Sequence, residues 1–152
     1  MEIFANDMHY QNLNQMIRDS KESYVIIKEC IGQRYIGNGT SDKTIKINGT
    51  PGNALGAYLN GSKIIVNGNA QDATGDTMNE GTIIINGNSG DATGYAMRGG
   101  KILIQGNAGY RAGIHMKQYK DKKPVIVIGG TAQHFLGEYM AGGVMIVLGA
   151  NL

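Results

Sequence analysis

Few side chains in this 152-residue sequence are suited to catalysis or metal binding. The three histidines are His9, His115 and His134, and Glu138 follows His134 by four positions. In a fold of stacked turns His115 could lie near His134, but a transition-metal site needs a third converging ligand and the spacing offers none. Asp72 and Asp91 are separated by one repeat of the chain, and two adjacent carboxylates could attract a cation. The glycine-rich calcium repeat GGxGxD is absent, so they read as solvated turn carboxylates. Cys30 is the single cysteine, which excludes an intrachain disulfide, a four-cysteine zinc site and an iron–sulfur cluster held by this chain alone. Gly37-Asn38-Gly39 lacks the third glycine of a dinucleotide fingerprint, and no Lys-Ser or Lys-Thr stands at Walker spacing. Arg98, Arg111, His115, Tyr119, His134 and Glu138 make the later part of the chain more polar and varied, able to pair with each other or with a partner. None forms a nucleophile with an attendant base. No catalytic, cofactor-binding or metal-binding residue is therefore expected.

The elements that carry these residues are announced by glycine. There are 24 glycines and only 2 prolines, about twice the usual glycine share of roughly 7%. Collagen is excluded because the glycines do not recur every third residue. The 19 isoleucines and 6 valines supply the apolar material that disordered segments lack. A net charge of +2, with Lys and Arg scattered, suggests no nucleic-acid partner. The N-terminus has no basic, apolar leader and no apolar run reaches about 18 residues, so a cytoplasmic protein without a membrane span is expected.

From Lys43 onward the chain repeats. An apolar run closes on a glycine at 49, 68, 87, 106, 129 and 149, the first three intervals being equal and the last two longer by four and by one. A second glycine follows at 56, 75, 94, 113 and 137. Helices do not survive this density of glycine, each costing about 1 kcal/mol relative to alanine. Two and four positions before each closing glycine stand Ile47 and Ile45, Val66 and Ile64, Ile85 and Ile83, Ile104 and Ile102, Val127 and Val125, Val147 and Met145. That alternation is a strand period, and one strand per unit of about 19 residues predicts an all-β fold, a parallel β-helix or β-solenoid. Leu59, Met78, Met97, Met116 and Met140 form a second inward column, packing between small residues such as Ala54, Ala73 and Ala92. Asn48, Asn67 and Asn86, and likewise Asn69, Asn88 and Asn107, are placed to stack as ladders along the axis.

Residues 1–42 read as a small helix-and-strand cap on the 43–152 repeat region, within a single domain. A helix over His9–Ser20 has Leu13, Met16 and Ile17 on one face and Asn6 or Asp7 as N-cap; Tyr24–Glu29 reads as a strand. Residues 31–42 are a glycine-punctuated approach to the first full turn. Three positions before each closing glycine, on the outward face, stand Lys46, Ile65, Ile84, Leu103, Ile126 and Ile146. An apolar outer stripe of this length is an expected contact surface for another protein or a second copy, because the short helix could cover only part of it.

The glycine pattern resembles the GXGXG domain that ends the large subunit of glutamate synthase. The likeness is closest in GYRAGIHMKQY (109–119) and FLGEYMAGGVMIVLG (135–149). GQRYIG (32–37) resembles that family's entry into its first turn, and LNQMIR (13–18) the preceding helix, so nearly the whole chain is covered. The resemblance implies a right-handed β-helix that serves as a scaffold. In that enzyme an amidotransferase hydrolyses glutamine and passes ammonia through a tunnel to an FMN site, where 2-oxoglutarate is aminated. This chain has Glu2 in place of an N-terminal nucleophilic cysteine, and its one cysteine cannot ligate the iron–sulfur cluster. The resemblance thus implies a noncatalytic subunit whose partner chains carry the amidotransferase, the FMN and the cluster. The family domain usually continues after the VLG strand, whereas this sequence stops at Leu152. The C subunit of formylmethanofuran dehydrogenase resembles the same repeat and is the alternative scaffold. A hexapeptide acyltransferase is disfavoured, since each of its turns divides into three sixes, whereas the glycines here fall seven, five and seven apart.

Overall fold

The computed structural model describes residues 1–150; residues 151–152 of the expected repeat region lie outside them. Eight strands, β1 (Glu2–Phe4), β2 (Tyr24–Ile31), β3 (Thr44–Thr50), β4 (Asn60–Asn67), β5 (Glu80–Ile85), β6 (Lys101–Ile104), β7 (Val125–Ile128) and β8 (Val144–Val147), form one sheet in chain order. Every neighbouring pair is parallel. With one short helix, α1 (Tyr10–Asp19), this is the β-solenoid that the repeat predicts.

Register builds the core. Ile45, Ile64, Ile83, Ile102 and Ile126 pair across successive strands and are fully buried. Each such side chain contributes about 1.5–3 kcal/mol by leaving water. Opposite them, Leu59, Met78, Met97 and Met116 are equally buried, while Met140 in the last turn is only partly so. The flexible thioethers fill what the β-branched wall leaves open.

The fifth repeat departs from the regular spacing. Ile102 pairs with Ile126 and Ile104 with Ile128, five positions beyond the regular interval, and Ile126 then pairs with Met145 at the regular one. Ile126 is therefore a core residue with no exposure, not a member of the outer stripe, while Val125 and Val127 face outward and are half-buried. The cause is the Gly129-Gly130 doublet: Gly130, rather than Gly129, continues the column of close approaches, lying against the Gly106 carbonyl and the Asn107 side chain. The five additional residues go into an excursion after Lys117, closed by an antiparallel bridge between Tyr119 and Lys122.

Opposite the sheet, each turn bends through a corner with alternating left-handed residues. In the corner that follows β6 these are Arg111, Gly113 and His115, at φ 59°, 70° and 57°. The corner amides point alternately up and down the axis. Arg111 N–H donates to His134 O and His115 N–H to Glu138 O in the next turn, whereas Gly113 N–H donates to Thr93 O in the previous one. Only the central position demands glycine: a Cβ on Gly94 (φ 72°) would strike Ile126 Cδ1.

The N-terminal segment is stapled to the first turn by buried polar groups. Gln33 Nε2 donates to Asn6 O and Met8 O at 2.9 and 3.1 Å, and its Oε1 accepts from Ile31 N–H at 2.8 Å. Asn14 Nδ2 donates to Arg34 O at 3.0 Å. Lys43, also buried, places Nζ on Ser20 O and Glu22 O just beyond the helix, where orphan carbonyls need a donor. The N-cap is His9, whose Nδ1 accepts from Gln11 N–H at 3.2 Å, rather than Asn6 or Asp7. Asn6 sits instead at φ 47° in the bend that leaves β1. Leu13 and Ile17 enter the core, while Met16 stays exposed and Asn14 takes the third buried position. No helix of the described residues is long and apolar enough to cross a membrane.

Candidate functional site

Three polar ladders run along the turns. Asn67 Nδ2 donates to Asn48 Oδ1 at 3.0 Å, and Asn86 Nδ2 to Asn67 Oδ1 at 3.2 Å. In the second ladder Asn69 Oδ1 accepts the N–H of Asn88, Asn88 Oδ1 that of Asn107, and Asn107 Oδ1 that of Thr131, at 2.8–2.9 Å. The third contains the two aspartates. Asp72 Oδ1 accepts Asp91 N–H at 2.7 Å and Asp91 Oδ1 accepts Tyr110 N–H at 2.8 Å. Each carboxylate is thus a rung that binds the next turn's backbone. Among the described residues no group of three or more His, Cys, Asp or Glu side chains is placed to hold a metal ion.

The late corners carry the polar residues singled out by sequence, distributed over two columns. His115 lies between Tyr95 and Tyr139, with ring centroids 5.8 and 5.0 Å away, the second pair stacked at 14°. His134 stacks on Tyr110 at 6.1 Å and meets Phe135 edge-on. The two histidines therefore belong to separate aromatic columns. Arg111 lies over the Phe135 ring at 4.7 Å and Arg98 over Tyr119 at 5.3 Å, while Arg98 also donates to Asn79 Oδ1. Tyr95, Tyr110, Phe135 and Tyr139 are exposed. Aromatic rings and guanidinium groups at a surface are residue types that anchor protein–protein contacts.

The outer face of the sheet forms the second surface. Ile65, Ile84, Leu103, Val127 and Ile146 succeed one another in register across β4 to β8. The first four are half-buried and Ile146 is exposed. A groove of about 310 Å³ lies over this stripe, lined by Ile84, Leu103, Val127 and Leu148 with Asn86 and Gln105 at its side. No residue of α1 lines it; Leu13 and Ile17 of the helix enter the inner core instead. Val127 was missed by spacing because the neighbouring doublet offers two candidate closing glycines.

Cys30 is buried against Gln33 Oε1, its Sγ donating at 3.4 Å, and burial pushes its thiol up to about 11. A thiol held neutral is a core group rather than a nucleophile. At the other extreme, the N-terminal ammonium 2.7 Å away holds the Glu22 carboxyl below its ordinary value.

A family model described as GXGXG motif matches residues 6–151. An uncharacterized protein of Methanocaldococcus jannaschii is 53% identical over 153 aligned residues, covering 96% of this chain and 59% of the relative. The chain thus spans about three fifths of that curated relative's length. No solved structure matches.

Proposed function

The chain belongs to the GXGXG motif family, and from that premise we propose that it is a noncatalytic scaffold of a cytoplasmic glutamate synthase-like assembly. The amidotransferase and the FMN- and iron–sulfur-bearing synthase are then separate chains, docked on the solenoid. The observation that carries this reading is the outer stripe from Ile65 to Ile146, five apolar side chains in register, four of them half-buried and Ile146 exposed, with a groove over Ile84, Leu103 and Val127. Parallel sheets are normally covered on both faces, and an uncovered apolar face rimmed by polar groups favours a protein partner. A stacked sheet with three side-chain ladders is also stiff, as a part that fixes the distance between two active centres must be.

Affinity purification of the tagged chain from its native cell, followed by mass spectrometry, tests the proposal. The expected companions are an amidotransferase and a flavin- and cluster-containing synthase. A molybdenum or tungsten protein would instead support the formylmethanofuran dehydrogenase-type scaffold, and recovery of unrelated proteins alone would remove both.

A further inference from the structure

The corner opposite the sheet changes character part-way along the solenoid. Ala54 N–H donates to Asp72 O, Ala73 N–H to Asp91 O, Ala92 N–H to Tyr110 O and Arg111 N–H to His134 O, so the residue pairs at this place stack turn upon turn. After β4 and β5 the pairs are Asp72-Ala73 and Asp91-Ala92, each a carboxylate beside a small side chain. After β6 and β7 they are Tyr110-Arg111 and His134-Phe135, large rings with a guanidinium. Charge along the whole chain has the same polarity: residues 1–97 carry seven Lys and Arg against ten Asp and Glu, and residues 98–152 seven against two.

Neither half is satisfied within the chain. Tyr110 stacks on His134 and Arg111 lies over Phe135 one turn further on, so the aromatic half is one assembled block. Arg111 takes part in none of the ion pairs among the described residues, and Tyr110 and Phe135 are 47% and 56% exposed. Asp72 and Asp91 are exposed and likewise in no ion pair among the described residues; in the ladder each accepts through Oδ1 alone. Beside them Ala73 and Ala92 add no bulk.

We propose that a second copy of this chain docks on this corner, antiparallel, about a twofold axis between the corners that follow β5 and β6. In that arrangement Asp91-Ala92 of one copy faces Tyr110-Arg111 of the other, and Asp72-Ala73 faces His134-Phe135. Arg111, drawn towards Phe135 within its own chain, then reaches between Asp72 and Asp91 of its counterpart. The Phe135 ring lies over Ala73, where a larger side chain would block it. Successive turns are about 4.8 Å apart in both copies, so the four pairs stay in step along the axis, and every contact occurs twice as an isologous contact requires. A parallel arrangement would instead set carboxylate on carboxylate and guanidinium on guanidinium, which is repulsive. The corner lies on the side of the solenoid away from the outer stripe, which stays available to other chains.

Analytical ultracentrifugation of the 152-residue protein and of charge-exchanged variants tests this arrangement. The parent is expected to be dimeric at about 100 µM, well above a micromolar dissociation constant. Arg111→Glu and Asp91→Lys are each expected to weaken dimerisation at least tenfold with cooperative melting retained. Mixing the two variants is expected to restore a dimer, because the exchanged charges then oppose each other across the twofold. Should Asp91→Lys fail to fold, Asp91→Asn keeps the ladder acceptor while removing the charge, and is expected to weaken the dimer as well. A parent that is monomeric at that concentration would overturn the proposal, as would two folded single variants that stay monomeric when mixed. So would a dimer that Arg111→Glu leaves intact but Leu103→Asp abolishes, because that dimer would use the outer stripe.

Discussion

Asn88 Oδ1 accepts the backbone N–H of Asn107 at 2.8 Å, one turn further along the solenoid, and Asn88 N–H itself donates to Asn69 Oδ1. A side chain here does what strand peptide groups do elsewhere, carrying the hydrogen-bonded ladder through a bend where the backbone turns away. Asn88→Ala is expected to cost about 1 kcal/mol, the usual worth of one such bond. Thermal melting would show this as a fall of roughly 2–4 °C for a chain of this size. Asn88→Asp keeps the acceptor and is expected to melt close to the parent; equal losses for both variants would show that the ladder contributes nothing.

Adjacent residues on β5 have opposite consequences. Ile85 is fully buried and Ile84 lies on the outer face, so Ile85→Asp is expected to prevent folding by burying an unpaired carboxylate. Ile84→Asp is expected to leave the far-ultraviolet circular dichroism spectrum and cooperative melting intact. The same contrast is expected for Ile126→Asp against Val127→Asp, which checks the shifted register of the fifth repeat.

Much of this was legible because the repeat is nearly regular: four consecutive strands at one constant spacing define the inward column without reference to the fold. The register failed at Ile126, where the excursion after Lys117 adds five residues and two adjacent glycines compete for one place. The left-handed positions at Ala73, Arg111 and Phe135 were also not legible, since none of these residue types favours φ > 0. They are held there by the alternating amide bonds to the turns above and below, an interaction of whole turns. The strand β1 is too short to show a period, and its pairing with β2 spans the helix. For the outer surface, sequence supplied the apolar stripe, while the stacking of His115 and His134 on different columns required the corner geometry.

Thr77 is the β-branched member of a left-handed column, at φ 52°. Its branched Cβ crowds the backbone there, a strain of about 1–2 kcal/mol that asparagine carries more easily. Thr77→Asn is therefore expected to raise the melting temperature by a few degrees. An unchanged or lower melting temperature would show that the contact of Thr77 Oγ1 with Asp76 Oδ1, at 2.8 Å, outweighs the strain.

Burial of Cys30 couples stability to alkaline pH. Its thiol moves from an ordinary value of 9.0 to about 11 in the folded chain. Between these values the unfolded chain loses the proton while the folded chain keeps it, so unfolding is favoured as pH rises. Urea denaturation is expected to show constant stability from this group below pH 9 and a decline from pH 9 to 11. Cys30→Ala is expected to remove that part of the decline, and an identical alkaline profile for the two proteins would contradict the assignment.

Docking of the catalytic chains of a glutamate synthase-like assembly on the outer stripe is the central claim. The most direct measurement is parallel affinity purification of the parent chain and Leu103→Asp from the native cell, with both proteins first shown to melt cooperatively. The parent is expected to recover amidotransferase and flavin-containing synthase chains, and Leu103→Asp to lose them. Recovery of those chains in equal amounts by both proteins, or of neither by the parent, would contradict it.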